Sequence, residues 1–100
     1  MSKIIVNASF YLNDESLLED WKKMSAVIDE DLVGVDGFIS RDSAIGEDKK
    51  VYCILKWDSL TQQEAFMKSF EEREDSAELM AEFGRIVNME TMTRELLDVL

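Results

Sequence analysis

The chain has 100 residues, with 22 acidic side chains against 11 basic ones, a formal net charge of −11 and no histidine. This length suits one domain with its own hydrophobic core, and an apolar fraction of 46% is that of a globular chain rather than a disordered or fibrous one. A field of negative sign repels phosphate backbones and anionic membrane surfaces, which disfavours nucleic-acid binding. We therefore expect a single domain over residues 1–100, with an acidic surface that serves solubility.

The sequence carries no sign of membrane insertion or export. No apolar run approaches the roughly 18 residues that a spanning helix needs, and the first residues alternate in polarity instead of forming the apolar segment of a signal peptide. Cys53 is the single cysteine, which excludes an internal disulfide framework. These features predict a cytoplasmic protein.

The first predicted strand covers residues 3–12, where polarity alternates along the chain. One face is wholly apolar and holds Ile4, Val6, Ala8, Phe10 and Leu12. The other face is mixed and holds Ile5, Asn7, Ser9 and Tyr11. Asn7 is the unusual residue, because a polar amide at a strand centre must find hydrogen-bond partners.

A helix is predicted to follow, with Asn13 or Asp14 as its N-cap. Its apolar stripe recurs at helical spacing and comprises Leu17, Leu18, Trp21, Met24, Ile28 and Leu32. Gly34 is a suitable C-terminal stop. The stripe is wide enough to hold the helix against a sheet.

Two strands joined by a short turn are predicted after this helix. The first covers residues 37–41, has weak strand propensity and is expected near an edge of the sheet. The turn covers residues 44–48, and the next strand begins at Lys49 or Lys50 and ends at Trp57. Because the connection is short, the two strands are expected to form an antiparallel hairpin.

The stretch after Trp57 is predicted to open a second helix. Two overlapping capping-box patterns are present, Ser59 with Gln62 and Thr61 with Glu64, and either pair is a candidate N-terminus. The helix would carry the aromatic side chains of Phe66 and Phe70.

The acidic residues 71–75 interrupt this helical pattern, and Asp75 is predicted to begin a further helical segment that ends near Asn88. Residues 89–97 are predicted to form the last strand, because threonines favour an extended chain, although residues 95–100 also have helical propensity. The resulting order is βαββαβ, the α+β ferredoxin-like arrangement of a four-stranded antiparallel sheet with helices on one face. The uncovered apolar face would then be buried by a second copy, sheet against sheet, in a homodimer.

Three short motifs point to a known family. They are VGVDGF at residues 33–38, ILKWDS at residues 54–59 and EAF at residues 64–66. With the order of elements, they make the chain resemble the antibiotic-biosynthesis-monooxygenase type of dimeric α/β barrel. The resemblance extends over nearly the whole chain.

This resemblance implies a homodimer with one pocket in each subunit, between the helices and the sheet. Some members of the family oxidise aromatic polyketide-like or quinol substrates with O2 and without metal, flavin or haem. Other members degrade haem with an asparagine on the first strand, an aromatic residue and a histidine. Asn7 and Phe66 match the first two positions, but the position of the haem-ligating histidine falls near Ser76, so haem degradation is disfavoured.

Two residues are assigned catalytic roles by the resemblance and by their chemistry. Asn7 would hold a substrate oxygen or a developing phenolate, unless it is a structural amide tied to neighbouring backbone. Tyr52 would pass a proton to an oxygenated intermediate, and its strand parity is expected to place it on the opposite face of the sheet from Trp57. The predicted substrate-binding residues are Tyr11, Trp21, Trp57, Phe66, Phe70, Phe83 and Arg85.

Each of these residues has a plainer alternative. The aromatic side chains are also typical core residues, and Arg41, Arg85 and Arg94 are also suited to surface ion pairs. Cys53 is interpreted as a small buried side chain with no cation nearby to lower its pKa. No metal site is predicted, because residues 29–31 are acidic but lack the loop spacing of a calcium site.

The predicted function is that of a cofactor-independent monooxygenase acting on a small aromatic or quinol-like molecule between sheet and helices. Apolar walls would exclude water from the reactive intermediate. The alternative is a non-catalytic small-molecule-binding or interaction domain with the same dimeric barrel fold.

Overall fold

The computed structural model describes residues 2–100 and contains a four-stranded antiparallel sheet with three helices. The sheet has the order β2-β3-β1-β4. The predicted ferredoxin-like α+β fold is confirmed, and the predicted interruption at residues 71–75 separates two helices. The elements are β1 (Ile4–Leu12), α1 (Leu18–Leu32), β2 (Phe38–Ile45), β3 (Val51–Trp57), α2 (Leu60–Glu71), α3 (Ser76–Ile86) and β4 (Val87–Asp98).

The entry to α1 resolves the choice between Asn13 and Asp14. The carboxylate of Asp14 accepts a hydrogen bond from the Ser16 amide at 2.9 Å and caps a short 3₁₀ turn, Glu15–Leu17, which leads into α1. Asn13 instead binds the end of α3, because its side-chain amide donates to the carbonyl oxygens of Gly84 and Arg85 at 3.0 and 2.8 Å. These bonds satisfy two of the carbonyls that a helix end leaves without intrahelical partners.

The hairpin between β2 and β3 is longer than predicted. Strand β2 continues to Ile45, because it pairs with β3 along its length despite its weak propensity. The turn is correspondingly displaced, with the Gly46 amide donating to the Lys50 carbonyl at 2.8 Å and Lys49 in the left-handed region at φ 71°.

Helix α2 begins after Ser59, so the first of the two capping boxes is the one used. The Ser59 hydroxyl oxygen accepts a hydrogen bond from the Gln62 amide at 3.2 Å and satisfies a donor of the first turn. Strand β4 begins two residues earlier than predicted and extends to Asp98, because its last residues pair with β1 (Ile5 lies opposite Leu97). The helical propensity of the tail is therefore overridden by strand pairing.

The pairing of β1 with β4 contains a large bulge. Ser9 lies opposite Thr93 and Tyr11 lies opposite Asn88, so the four residues from Met89 to Met92 face Phe10 alone. The Thr91 hydroxyl holds this irregular stretch, since it donates to the Asn88 carbonyl at 2.7 Å and accepts from the Tyr11 amide at 2.9 Å. The bulge brings Met92 against the core.

The core lies between the sheet and the helices and consists of two clusters. One contains Phe10, Trp21, Val51, Cys53, Ile86 and Val87, and the other contains Ile4, Val6, Leu32 and Trp57. Phe66 of α2 packs against the second cluster, so all three helices pack on the same face of the sheet. The opposite face carries Asn7 and Tyr52 and is uncovered over residues 2–100.

Replacing Ser59 by alanine should lower the free energy of unfolding by about 1 kcal/mol, because the first turn of α2 loses its side-chain acceptor. Urea denaturation monitored by far-UV circular dichroism measures the change. Thr61→Ala, in the unused capping box, is the matched control and should stay within about 0.5 kcal/mol of wild type. A larger loss in Thr61→Ala than in Ser59→Ala would contradict the assignment.

Candidate functional site

A cavity of about 340 Å³ lies between α1 and α3, and Phe70 at the end of α2 contributes to its wall. We call it cavity A. Its volume falls in the range of roughly 300–1,000 Å³ typical of small-molecule sites. The walls are almost wholly apolar and consist of Met24, Val27, Ile28, Phe70, Leu79, Met80, Phe83 and Ile86.

Charged side chains form the rim of cavity A. Arg85 on α3 donates to Glu82 through Nε at 3.1 Å and to Asp20 on α1 through Nη2 at 3.0 Å, so it links the two helices at the cavity mouth. The Arg85 guanidinium lowers the pKa of the Glu82 carboxyl, and the two carboxylates raise the pKa of Arg85. Lys23 and Asp31 complete the charged rim. Because both carboxylates already hold Arg85, this arginine is a poor anchor for an anionic ligand.

A second cavity, cavity B, has a volume of about 350 Å³ and lies between the end of α1 and α2. Asp31 and Phe70 line both cavities and therefore form the wall between them. Cavity B is more polar than cavity A, because its other lining residues are Val35, Asp36, Gln62, Ala65, Phe66, Ser69 and Arg73. We call the two cavities together the helix-side groove.

Arg73 crosses one end of the helix-side groove. Its Nη1 donates to Asp31 of α1 at 3.1 Å, while Nε and Nη2 each donate to the carboxylate of Asp75 at 3.0 Å. The guanidinium carbon also lies 5.8 Å from the ring centre of Phe70, within the range of a cation–π contact. Arg73 thus ties α1 to the connection between α2 and α3 and covers the Phe70 ring.

The structure brings together four of the nine predicted site residues. Phe70, Phe83 and Arg85 line cavity A, and Phe66 joins Phe70 in cavity B. No strand residue lines either cavity, so this grouping lies between helices and not between helices and sheet as expected. The ion pairs of Arg85 also agree with the alternative prediction, in which this arginine forms surface ion pairs.

Two further predicted residues, Trp21 and Trp57, lie in the core behind the groove. Trp21 is 3% exposed, has its ring 6.1 Å from that of Phe83, and donates from its indole nitrogen to the Ser43 hydroxyl at 3.2 Å. Trp57 is 1% exposed and packs against Phe66 at 5.6 Å, and its indole nitrogen has no hydrogen-bond partner within residues 2–100. Neither side chain lines cavity A or B.

The remaining three predicted residues, Asn7, Tyr11 and Tyr52, lie on the other face of the sheet. The expectation that Asn7 lines the helix-side pocket is wrong, because its strand neighbours Val6 and Ala8 take the helix-facing positions. Its buried Oδ1 also has no partner within residues 2–100, contrary to the expectation that it would be paired. The predicted separation of Tyr52 from Trp57 on opposite faces is confirmed by the register of β3.

Tyr11 lies at the hairpin end of this face. Its hydroxyl donates to the carboxylate of Asp48 at 3.0 Å, and this bond raises the pKa of the Tyr11 phenol. The Asp48 carboxylate is itself held by the Lys50 amide, and the pKa of Asp48 is lowered by that bond and by Tyr11. A phenol that is held in its protonated form can donate a hydrogen bond but is a weak base at neutral pH.

A buried polar cluster lies between α1 and the β2–β3 hairpin. The Arg41 side chain is only 3% exposed, and its Nη1 donates at 2.8 Å to both the Ser25 hydroxyl and the Asp29 carboxylate. Its Nη2 lies 3.7 Å from the Cys53 sulfur. Arg41 is therefore not a surface ion pair, and the expectation that no cation lies near Cys53 is wrong. Burial nevertheless raises the pKa of the Cys53 thiol more than Arg41 lowers it.

Several groove residues were missed by sequence reasoning. Asp20, Val27 and Asp31 recur at helical spacing along one edge of α1, outside the apolar stripe that was predicted for this helix. Arg73 was missed because it lies within the acidic residues 71–75.

Among the described residues there is no cluster of His, Cys, Asp or Glu suited to a metal ion, and no helix there is long and apolar enough to cross a membrane.

Comparison with known proteins finds similarity in structure alone. No family model and no curated protein matches the sequence. SnoaB, a cofactor-independent oxygenase from Streptomyces nogalater, superposes with a TM-score of 0.77 over 100% of this chain and 95% of its own, at 9% identity. A protein from Nitrosomonas europaea that is predicted to be an antibiotic biosynthesis monooxygenase gives 0.78 over 99% and 91%, at 10% identity.

The Mycobacterium tuberculosis protein Rv0793 is similar as well, with a TM-score of 0.77 over 99% of this chain and 96% of its own, at 14% identity. The chain has the antibiotic-biosynthesis-monooxygenase type of fold. The fold implied by the sequence motifs is thereby confirmed. Since identities of 9–14% carry no residue-level information, the activity of this chain has to be argued from its own site.

The buried thiol should make stability depend on pH in the alkaline range. The Cys53 pKa is raised in the native state, so above about pH 8.5 the thiol ionises in the unfolded chain first and the free energy of unfolding falls as pH rises. Urea denaturation between pH 8 and 10 measures this fall. Cys53→Ala should show a shallower fall than wild type over that range, and equal slopes would contradict the prediction.

Proposed function

We propose that the protein is a cofactor-independent monooxygenase that binds a small aromatic or quinol-like molecule in cavity A. The observation that carries the proposal is the apolar lining of this cavity, formed by aliphatic, methionine and phenylalanine side chains beneath a charged rim. Such a lining suits a planar ring system better than a sugar, a nucleotide or a polar metabolite. The fold shared with a cofactor-independent oxygenase supports the same reaction class.

The chemistry requires the substrate to supply the electrons. An anthrone or a related electron-rich phenol loses a proton, and its anion reduces O2. In the case of an anthrone, one oxygen atom converts the ring CH2 into a carbonyl, while the other leaves as water with the two displaced hydrogens. The apolar walls of cavity A would keep bulk water from the intermediate.

Binding without catalysis is the second candidate function, and one observation favours it. The apolar interior of cavity A contains no general base, and its rim carboxylates are engaged, Asp20 and Glu82 by Arg85 and Asp31 by Arg73. The lowered pKa of Glu82 makes this carboxylate a weaker base. Catalytic roles for Asn7 and Tyr52 would require a further site on the uncovered sheet face, enclosed by a partner.

A homodimer would supply such an enclosure. Ile54 and Leu97 lie on the uncovered face and are 40% and 43% exposed. The unpartnered oxygen of Asn7 lies on the same face, where a second subunit could provide a donor. Sheet-against-sheet pairing would bury this apolar surface with two-fold symmetry.

The single buried thiol supports a reducing compartment, and we propose the cytoplasm.

Filling cavity A should lower oxygen uptake. Oxygen uptake is measured with metal-free protein and a panel of anthrones and quinols, and the rate with wild type should exceed that of spontaneous oxidation. Val27→Trp should lower this excess rate by about ten-fold or more, because Val27 is a 47%-exposed residue on the cavity wall and an indole there would fill the cavity. Val33→Trp is the matched control, since Val33 is 79% exposed and lines neither cavity. A ligand-induced rise in Tm without uptake would favour binding alone, and neither effect with any compound would contradict both functions.

The same assay tests the other face of the sheet. If Asn7 and Tyr52 are catalytic, Asn7→Ala and Tyr52→Phe should each lower uptake by about 100-fold, the usual scale for removing one acid–base group or oxyanion donor. Unchanged uptake in both variants would exclude these roles and leave the chemistry to cavity A alone.

The proposed dimer should depend on the uncovered face. Size-exclusion chromatography with light scattering should give twice the chain mass for wild type and the single-chain mass for Ile54→Glu, because a carboxylate would be buried in the interface. Met67→Glu is the control, since Met67 is similarly exposed at 44% but lies on α2. A wild-type monomer would rule out the sheet-against-sheet arrangement.

A further inference from the structure

We propose that the helix-side groove is a two-part site, in which Phe70 divides a ring-binding subsite from an arm-binding subsite. The ligand class that fits is a fused aromatic ring body, held in cavity A, with an uncharged hydroxyl- or amide-bearing arm that passes the Phe70 ring into cavity B. This inference rests on the proposed binding of an aromatic molecule in cavity A and specifies its chemistry.

The two cavities differ in what they offer to a ligand. Apart from its charged rim, cavity A presents only hydrocarbon, thioether and phenyl groups. Cavity B adds the amide of Gln62 and the hydroxyl of Ser69. A ligand that is apolar throughout would offer these polar groups of cavity B no hydrogen-bond partner, whereas a ligand with a polar arm would provide one.

The hydrogen bonds within cavity B show which groups are available. The Gln62 side-chain oxygen accepts a bond from the Ser59 hydroxyl at 3.0 Å, which leaves its NH2 group as a donor. The Ser69 hydroxyl donates to the Phe66 carbonyl at 3.2 Å, which leaves its oxygen as an acceptor. A hydroxyl or a primary amide on the arm can bind to either of these groups, because a hydroxyl and a primary amide each donate and accept.

Charge argues against an acidic arm. The single cation of cavity B, Arg73, is held by the carboxylates of Asp31 and Asp75, and Asp36 adds a further negative charge to the wall. A carboxylate or phosphate on the arm would be repelled by these carboxylates, and no free cation would bind it. An uncharged arm avoids the repulsion and keeps the hydrogen bonds.

Phe70 is suited to act as the divider. It lines both cavities, it lies on the last turn of α2, and the Arg73 guanidinium lies against its ring. Cavities A and B have similar volumes, about 340 and 350 Å³, so each is large enough for one portion of an elongated molecule. The length of ligand that fits would therefore be set by the Phe70 ring and by Arg73, whose ion pairs hold it against this ring.

Three matched probes test the two-part site by isothermal titration calorimetry: 2-naphthol, its 6-(3-hydroxypropyl) derivative and its 6-(2-carboxyethyl) derivative. The hydroxypropyl compound should bind wild type about five-fold more tightly than 2-naphthol, the gain of one added hydrogen bond. The carboxyethyl compound should show no such gain.

Two variants locate the subsites. Ala65→Trp fills cavity B from an exposed position of α2 and should remove the five-fold gain while leaving the affinity for 2-naphthol unchanged. Val27→Trp fills cavity A and should weaken all three probes by about ten-fold or more, whereas Val33→Trp should weaken none. Urea midpoints check that each variant is folded.

The outcomes separate this inference from the function on which it rests. If 2-naphthol binds and Val27→Trp abolishes binding, but the hydroxypropyl arm adds nothing or Ala65→Trp weakens 2-naphthol itself, the two-part site is wrong and binding in cavity A stands. If no probe binds wild type, both are overturned. Tighter binding of the carboxyethyl compound than of the hydroxypropyl compound would also overturn the assignment of an uncharged arm.

Discussion

The orientation of β1 is the constraint on which the rest of the structure depends. This strand pairs with β3 on one side and β4 on the other. The alternation of its side chains between the two faces therefore decides which residues of the paired strands face the helices. Val6 and Phe10 face the helices and are buried, whereas Asn7 and Tyr11 face away. A one-residue slip would exchange the two faces. The face that packs against the helices and the proposed dimer surface therefore have a common origin.

Most of the fold could be predicted from the sequence because its signals are local. Periods of two and 3.6 residues are visible in β1, α1 and the β3–α2 unit, and the Ser59 cap follows from a spacing of three residues. The opposite placement of Tyr52 and Trp57 follows from strand parity alone. Failures occurred at boundaries where pairing overrides propensity, as in the long β2 and the fully extended end of β4.

The site was less predictable because it depends on contacts between distant segments. Asn7 has the residue type expected of a pocket amide, yet the sequence cannot indicate which face of β1 meets the helices, since Ile5 makes the second face partly apolar too. Arg41 is buried because Ser25 and Asp29 come beside it from α1. The helix-side groove has walls from three helices, so no single periodic segment reveals it, although Phe66, Phe70, Phe83 and Arg85 were among the predicted site residues.

The bulge opposite Phe10 bears on how the chain length of β4 can vary. Before it, Val87 faces the helices, and after it the helix-facing positions fall on Arg94 and Leu96. The four bulged residues thus change the parity of the strand between its two halves. Because β1 sets the register on both sides of the bulge, at Ser9–Thr93 and at Tyr11–Asn88, loss or gain of a single residue can be absorbed within the bulge without turning the C-terminal half over. Homologous chains are therefore expected to vary in length more readily here than in the regularly paired part of β4.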